Sequence, residues 1–318
     1  MTSAERPVWT VQAPVGGWGP PWPQAAEIAQ MIPSEQWTLI GGLMVQLHAV
    51  RAGVPPTRAT VDVDMILHIE TGAATFGGVR ARLEQIGYEL QMPVRGRVHR
   101  FVRSGGVEQV DVMVADHLAP RFRPSVSGRE VFAVPTGTSA LRKTVDCLIE
   151  IDGVSTKLSV PDVLGALVLK GAAYLEDPRD RGRHLDDAVV LAGAIENPMA
   201  DRTRMRGSDR GRVRALAEVL ADPDHRSWLS MPEQRRRRGR DALLLLVQEP
   251  KRELLSTNEI HNNETLCRLP LYRARTWRRS QVPPTAVRGD PGRRGGGLER
   301  SSGAGGPGSV PGSMNRIR

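Results

Sequence analysis

The sequence predicts an α+β fold in which a mixed sheet with helices is followed by a helical region and a disordered tail. Up to about residue 159, short apolar segments typical of strands alternate with segments of helical periodicity. Residues 160–248 contain further segments whose apolar residues have helical spacing. Residues 249–318 are rich in Gly, Pro and Arg and contain too few apolar residues to offset the entropy of ordering.

The N-terminal elements follow from turn residues and apolar spacing. Residues 1–24 are predicted to form an irregular lead-in, because Pro and Gly recur in its second half. A short helix is expected over 25–32 and a strand over 36–40. Gly41 and Gly42 then form the turn into a helix whose apolar residues recur at positions i, i+4 and i+7.

The next segments predict the remainder of the sheet. The run "TVDVDMILHI" at 60–69 is a strand, and "GGVRARLEQIG" at 77–87 is a helix. Extended segments at 98–103 and 107–115 follow, separated by the turn signal Ser-Gly-Gly. The order strand, helix, strand, helix, strands indicates one mixed sheet.

At 318 residues the chain is long enough for about two domains of roughly 150 residues each. The boundaries predicted are 25–159 for a first domain that contains the sheet and 160–248 for a helical domain. The first helix of the second domain is expected to have Ser159 as its cap and Pro161 in its first turn. Residues 249–318 form the predicted tail.

Charge and apolar content limit the functional classes. The net charge is +9, but residues 249–318 contain 13 Lys and Arg against 6 Asp and Glu, so the folded part is nearly neutral. This distribution argues against a strongly basic nucleic-acid binder. The longest apolar run is far below the ~20 residues that span a bilayer, and the two cysteines form no metal or disulfide pattern. We expect a soluble cytoplasmic protein without a membrane partner.

Two acids inside an apolar strand are the strongest chemical signal. Asp62 and Asp64 point to the same face of the predicted strand, because strand side chains alternate. Two carboxylates held so close repel each other unless a cation lies between them, and a divalent metal ion is the usual solution. Asp111, in a later predicted strand, supplies a third carboxylate.

The order of these motifs resembles a known superfamily. The run "GGLMVQLHA" with "RATVDVDMIL", followed by "VEQVDVMVADHL" and "LVLKGAAYLEDPRDRGRHLDDAVVLA", resembles the nucleotidyltransferases that include DNA polymerase β. More narrowly, it resembles the AbiEii/AbiGii toxin family, in which Arg-x-Thr precedes the acidic pair. The resemblance covers about residues 37–191 and implies a nucleotidyltransferase-type sheet.

The resemblance implies roles for individual residues. Asp62, Asp64 and Asp111 would be the catalytic and metal-binding carboxylates, with two magnesium ions expected. The implied nucleotide-binding residues are Gly41, Gly42, Arg58, Thr60, Lys170 and Asp187. The sequence departs from the family pattern where Arg183 and His184 occupy positions that align with another acid or basic pair.

The chemistry of nucleotidyl transfer is consistent with these roles. A hydroxyl attacks the α-phosphate and pyrophosphate leaves, so charge develops on two oxygens that two metal ions can stabilise together. Asp111 is expected to hold mainly the catalytic ion and to help deprotonate the hydroxyl. The glycines let phosphates approach the backbone and a helix N-terminus, and Lys170 supplies a point charge for the triphosphate.

Each of these residues also has an ordinary structural interpretation. Asp62 and Asp64 could face solvent on one side of the sheet. Lys170 could extend from its helix to the surface. Asp187 could pair with Arg183 at i, i+4 spacing.

The sequence therefore leaves several functions open. The first is a transferase that moves NMP from an NTP to an acceptor hydroxyl, and the AbiEii resemblance implies the toxin of a type IV toxin–antitoxin pair. Its acceptor would be tRNA or another RNA, and a cognate antitoxin would be encoded nearby. The alternatives are an antibiotic nucleotidyltransferase and a catalytically idle protein that binds nucleic acid through Arg-rich segments such as 235–238. A solvated helix face is the ordinary interpretation of such Arg runs.

Overall fold

The computed structural model describes residues 6–55 and 58–249, in which both strands and helices occur up to Pro161 and only helices follow. The strands are β1 (Val8–Val11), β2 (Trp37–Ile40), β3 (Asp62–Leu67), β4 (Glu89–Leu90), β5 (Arg100–Arg103), β6 (Glu108–Ala115), β7 (Ser125–Val126), β8 (Arg129–Glu130), β9 (Ala133–Val134), β10 (Thr144–Ile151) and β11 (Val154–Pro161). The helices are α1 (Trp22–Met31), α2 (Gly41–Ala52), α3 (Phe76–Gln85), α4 (Gly137–Leu141), α5 (Val163–Glu176), α6 (Arg181–Gly193), α7 (Pro198–Arg204), α8 (Asp209–Leu220) and α9 (Glu233–Val247). The predicted α+β class is confirmed. The predicted tail lies, except for Glu249, outside the described residues.

The main sheet places the acidic strands side by side. Its strand order is β2-β3-β6-β5-β4, and β9 also pairs with β6. Strand β3 is antiparallel to β2 and parallel to β6, and in that register Asp64 lies opposite Asp111. On the other side of β6, the antiparallel strand β5 places Arg100 opposite the same Asp111. The pairing therefore brings residues from three separate segments to one point of the sheet.

A second sheet corrects the prediction for the N-terminal region. Its order is β1-β10-β11, with β1 parallel to β10 and β10 antiparallel to β11. The expectation that residues 7–24 lack regular structure is wrong for Val8–Val11. Val, Trp and Thr favour extended backbone, and the edge of β10 offers this segment a partner. Helix α1 also starts earlier than predicted, at Trp22.

The helices after β11 pack on one another and on α2. Helix α5 contacts α6 and α8, while α6 also contacts α2 and α9. Fully buried residues such as Leu167 on α5 and Val189 on α6 join the same core as Met65 of the sheet. The described residues lie in one compact unit, so the domain boundary at residue 160 stays a prediction. None of the described helices has both the length and the apolar character of a membrane span.

The start of α5 differs from the predicted cap. Ser159 lies within β11 and is hydrogen-bonded to Thr38, and Pro161 is the last residue of that strand. Asp162 is the N-cap, and its side chain accepts a hydrogen bond of 2.9 Å from the backbone N–H of Gly165. The strand continues to Pro161 because β10 pairs with it along its whole length. The helix thus starts three residues later than the expected cap implies.

Asp162→Ala should lower the free energy of unfolding by about 1 kcal/mol more than Asp162→Asn. Asn retains a side-chain oxygen for the Gly165 N–H, whereas Ala leaves that donor without a partner. Both variants lose the ion pair between Asp162 and Arg204, so their difference isolates the cap. Urea unfolding followed by circular dichroism measures it, and equal losses would show that the ion pair dominates.

Candidate active site

Three carboxylates meet at the centre of the main sheet. Asp62 and Asp64 extend from β3 and Asp111 from β6, and one oxygen of each lies within 4.8 Å of the other two. Asp111 is buried, while Asp62 and Asp64 are partly accessible. Their convergence follows from the alternation of side chains on β3 and from the parallel register with β6. The interpretation of Asp62 and Asp64 as ordinary solvent-facing residues does not describe this arrangement.

The surroundings of Asp64 disfavour its ionised form. Burial raises the pKa of Asp64 to about 7, and the neighbouring charges of Asp62 and Asp111 act in the same direction. The positive charges of Lys170 and Arg58 oppose the increase without cancelling it. In the absence of a further cation, the site therefore retains a proton on this carboxylate at mildly acidic pH.

The glycine pair allows helix α2 to start against the acids. Gly41 has φ +71°, and a Cβ atom there would lie 1.8 Å from Asp64 Oδ2. A Cβ on Gly42 would lie 2.5 Å from Thr60 Oγ1. Only residues without a side chain permit these approaches, so both glycines are required by packing against the strand. Their predicted contact with a phosphate stays a prediction.

Thr60 fixes the position of Asp62. The buried Thr60 hydroxyl donates a hydrogen bond of 2.8 Å to Asp62 Oδ1. The predicted nucleotide contact of Thr60 is not tested, but the side chain acts in this structure on a carboxylate of the cluster. Thr60 therefore helps to orient one of the ligating oxygens.

Arg100 contacts the third acid directly. Its Nε and Nη2 atoms donate to the two oxygens of Asp111 at 2.8 and 2.7 Å. This bidentate geometry is a strong form of ion pair. Sequence reasoning missed Arg100, because only the antiparallel register of β5 and β6 places it beside Asp111.

A second ionic group lies where α5, α6 and the segment before β3 meet. Asp187 is 1% exposed and accepts bonds of 3.0 Å from both Nε and Nη2 of Arg58. Lys170 Nζ lies 2.7 Å from Asp187 Oδ2. Lys170 is 6% exposed and so does not extend into solvent. Asp187 does not pair with Arg183, whose ionic partner is Asp180.

These two groups border a common cleft. The cleft has a volume of about 590 Å³, and Gly41, Asp64 and Lys170 are among the residues that line it. Apolar side chains form much of the remaining wall: Met44, Met113, Phe132, Val134, Leu169 and Ala173. Arg58 and Thr60 do not line the cleft, and their side chains contact Asp187 and Asp62, respectively. The predicted nucleotide contacts of Arg58, Lys170 and Asp187 stay predictions.

His184 also lines the cleft, at the position where the sequence departs from the expected pattern. Both of its ring nitrogens are buried and have no hydrogen-bond partner among the described residues. Burial lowers the pKa of His184, and the nearby charge of Lys170 lowers it further. A neutral imidazole at this place offers one donor and one acceptor.

The carboxylate cluster could hold a metal ion. All the candidate ligands are oxygen atoms, which are the donors preferred by hard divalent cations such as magnesium. The raised pKa of Asp64 indicates that the cluster lacks sufficient positive charge of its own. The donor set and its charge therefore fit a divalent cation, with Asp62, Asp64 and Asp111 as its protein ligands.

Comparison with known proteins gives one structural similarity. The chain is similar to an antigenic nucleotidyltransferase-like protein from Paracoccidioides brasiliensis, with 18% identity and a TM-score of 0.43 over 70% of this chain and 91% of that chain. No protein-family model matches the chain, and no curated protein matches it. The narrower resemblance to AbiEii/AbiGii toxins therefore stays a prediction, and the functional argument depends on the site.

In metal-free buffer, stability should fall as pH rises from about 4 to about 7 because of Asp64. Its pKa is about 7 in the folded protein and ordinary in the unfolded chain, so folding retains a proton that unfolding releases in this interval. Asp64→Asn removes this contribution and should melt at a higher temperature than the parent at pH 8. Thermal melts in EDTA at pH 5 and pH 8 measure the difference. An identical pH dependence in variant and parent would contradict the raised pKa.

Arg100→Gln should tighten the binding of Mn²⁺, used as a probe, by about tenfold. The guanidinium of Arg100 repels a cation and competes with it for the negative charge of Asp111, and a partly exposed charge-assisted contact is worth about 1 to 2 kcal/mol. Isothermal titration calorimetry measures the affinity. Arg80→Gln, which removes an exposed ion pair with Glu84 on α3, is the matched control. Weaker binding by Arg100→Gln would show instead that Arg100 positions Asp111 for the ion.

Proposed function

We propose that the protein is a magnesium-dependent nucleotidyltransferase that transfers NMP from an NTP to an acceptor hydroxyl. The observation that carries this proposal is the convergence of Asp62, Asp64 and Asp111 beside a cleft lined by Lys170. Phosphoryl chemistry of this kind depends on positioning and on the stabilisation of negative charge, and the cleft combines groups for both. The sequence motifs provide independent support for the same reaction class.

The proposal gives each charged group a part in substrate binding. Asp62, Asp64 and Asp111 would hold magnesium, which when bound supplies positive charge to the triphosphate and to the attacking oxygen. Lys170 contributes a buried positive charge to the cleft wall and neutralises phosphate charge. Asp187 keeps the ammonium of Lys170 in place through a contact of 2.7 Å.

Proton removal from the acceptor is assigned to Asp111. Each of its two oxygens accepts one hydrogen bond from Arg100 and keeps a second lone pair that can take the hydroxyl proton. Arg100 remains near enough to stabilise the other oxygen.

The biological setting is a finer part of the proposal. The resemblance of the motifs to AbiEii toxins favours the toxin of a type IV toxin–antitoxin pair, with tRNA or another RNA as acceptor and a cognate antitoxin as partner. A panel of acceptors separates this from the modification of an antibiotic. Incubation with α-labelled NTPs and either total RNA or aminoglycosides shows which class receives the label.

Asp64→Asn and Lys170→Met should impair transfer in different ways. Loss of Asp64 removes a ligand from the centre of the cluster and should reduce kcat at least about 100-fold, because the charge that develops in the transition state is no longer compensated. Loss of the Lys170 charge should raise KM for the NTP by about tenfold, since a charge-assisted contact contributes about 1.5 to 3 kcal/mol. Transfer of label from α-labelled NTP measures both constants.

Two surface variants serve as controls for this comparison. Asp152→Asn removes an exposed carboxylate in the turn between β10 and β11, and Lys157→Met removes an ion-paired lysine of β11 outside the cleft. Both should transfer label at the parental rate. Full activity in Asp64→Asn would refute the proposed function. A parental KM in Lys170→Met would remove Lys170 from the nucleotide site and leave the metal cluster unaffected.

A further inference from the structure

A second concave site, rich in arginine, lies beside the loop that follows β6. It has a volume of about 430 Å³. The cationic residues that line it are Arg142, Lys143, Arg204, Arg206 and Arg212. Hydroxyl groups are contributed by Thr136, Thr138, Ser139 and Ser208. We refer to this site as the arginine pocket.

Two of the five cations in the arginine pocket carry uncompensated charge. Arg142 and Arg206 are exposed, and neither forms an ion pair with any carboxylate of the described residues. The guanidinium of Arg206 is held by the carbonyl oxygens of Thr203 and Met205, at 2.7 and 2.9 Å from Nη1. Its position is thus fixed by neutral acceptors, which leave the positive charge available to a ligand.

The other cations of the pocket have acidic partners. Arg204 pairs with Asp162 and Asp201, and Arg212 lies 3.7 Å from Glu176. These arginines are less available to a ligand than Arg142 and Arg206. A test of the pocket therefore concerns those two residues.

The carboxylates in the wall are already engaged. Asp209 is 1% exposed and accepts hydrogen bonds from Ser139 Oγ at 2.7 Å and from the backbone N–H of Arg206 at 3.0 Å, while Lys143 Nζ lies 2.9 Å away. Asp116 accepts the backbone N–H groups of Thr136 and Thr138 at 2.7 and 2.9 Å. Lys143 compensates Asp209, so the charge presented by the pocket is positive.

The arginine pocket adjoins the candidate active site. Val134 and Pro135 line the cleft that contains Asp64, and Thr136 and Thr138 line the arginine pocket. The segment 134–138 therefore forms a wall shared by both. Asp116, in the pocket, directly follows β6, the strand that carries Asp111. A substrate bound in both sites would lie across this short segment.

We propose that the arginine pocket binds a phosphate group of the acceptor substrate. This inference rests on the proposed transfer reaction and adds a chemical class to its acceptor: a phosphate ester whose free hydroxyl reaches Asp111. Guanidinium groups match phosphate in geometry and charge, and two of them facing one pocket favour a dianion or a phosphodiester over a neutral sugar. The phosphate belongs either to an RNA backbone or to a small phosphorylated acceptor.

The test compares two double variants of the full chain, so that residues 250–318 contribute equally to both. Arg142→Gln with Arg206→Gln removes the uncompensated charges of the pocket. Arg95→Gln with Arg235→Gln removes two arginines outside it, neither of which forms an ion pair among the described residues. Binding of a labelled single-stranded oligoribonucleotide is followed by fluorescence anisotropy over a range of KCl concentrations, in EDTA and without NTP. Melting temperature is followed while inorganic phosphate replaces chloride at constant ionic strength.

For an RNA acceptor, the pocket variant should bind the oligonucleotide at least about tenfold more weakly, and its slope of log affinity against log salt should decrease by about 1.4. For a small phosphorylated acceptor, oligonucleotide binding stays at the parental value, and the stabilisation by inorganic phosphate is lost in the pocket variant. The control variant should keep both properties. If the two double variants behave alike in both measurements, the pocket binds no phosphate and the inference is overturned.

The test of the arginine pocket gives a result that does not depend on whether the protein transfers nucleotides. Both measurements are made without metal and NTP, so they do not depend on catalysis. Asp64→Asn should retain oligonucleotide and phosphate binding even though transfer is lost. An inactive protein that still shows the difference between the two double variants would refute nucleotidyl transfer while retaining the phosphate site.

Discussion

Repulsion among three carboxylates at one point of the sheet is the constraint on which the remainder of the site depends. Asp62, Asp64 and Asp111 lie within 4.8 Å of one another, and burial of Asp64 together with the charges of its two acidic neighbours raises its pKa to about 7. Arg100 compensates one acid from the same sheet, while Lys170 and Arg58 act on Asp64 from another side of the site. The protein therefore surrounds the cluster with positive charge but does not neutralise it completely. A divalent cation is suited to compensate the remaining negative charge.

The second ionic group connects this electrostatic arrangement to the fold. Asp187 on α6 is buried with Lys170 on α5 and with Arg58, which precedes β3, so one carboxylate joins three separate segments. Removing Asp187 from this group would leave the buried ammonium of Lys170 without its acidic partner, which is strongly destabilising. The helical region is thus positioned relative to the acidic strand by the same residues that give the cleft its positive wall. The contacts of Asp187 thus determine both the position of the helices and the positive charge of the cleft wall.

The features that could be predicted from the sequence are those encoded over short distances. The alternation around Asp62 and Asp64 and the glycine pair ahead of an apolar helical pattern are local patterns. The structure contains both, although Gly41 and Gly42 are the first two residues of α2 rather than a turn before it. Arg100 could not be found, because its contact with Asp111 depends on the register between β5 and β6. Strand β1 was missed for a related reason: its partner β10 is distant in sequence. The arginine pocket combines residues from 116 to 212, and its carboxylates are compensated only in three dimensions.

The glycine pair shows how tightly the fold and the site are coupled. A side chain at Gly41 would overlap Asp64 Oδ2, and one at Gly42 would overlap Thr60, which orients Asp62. Helix α2 therefore begins in direct contact with both members of the acidic pair. Its first backbone N–H groups carry partial positive charge and have no side-chain cap, so they add to the field that acts on these carboxylates. Any substitution that moves the start of α2 consequently alters the position and the protonation of Asp64 together.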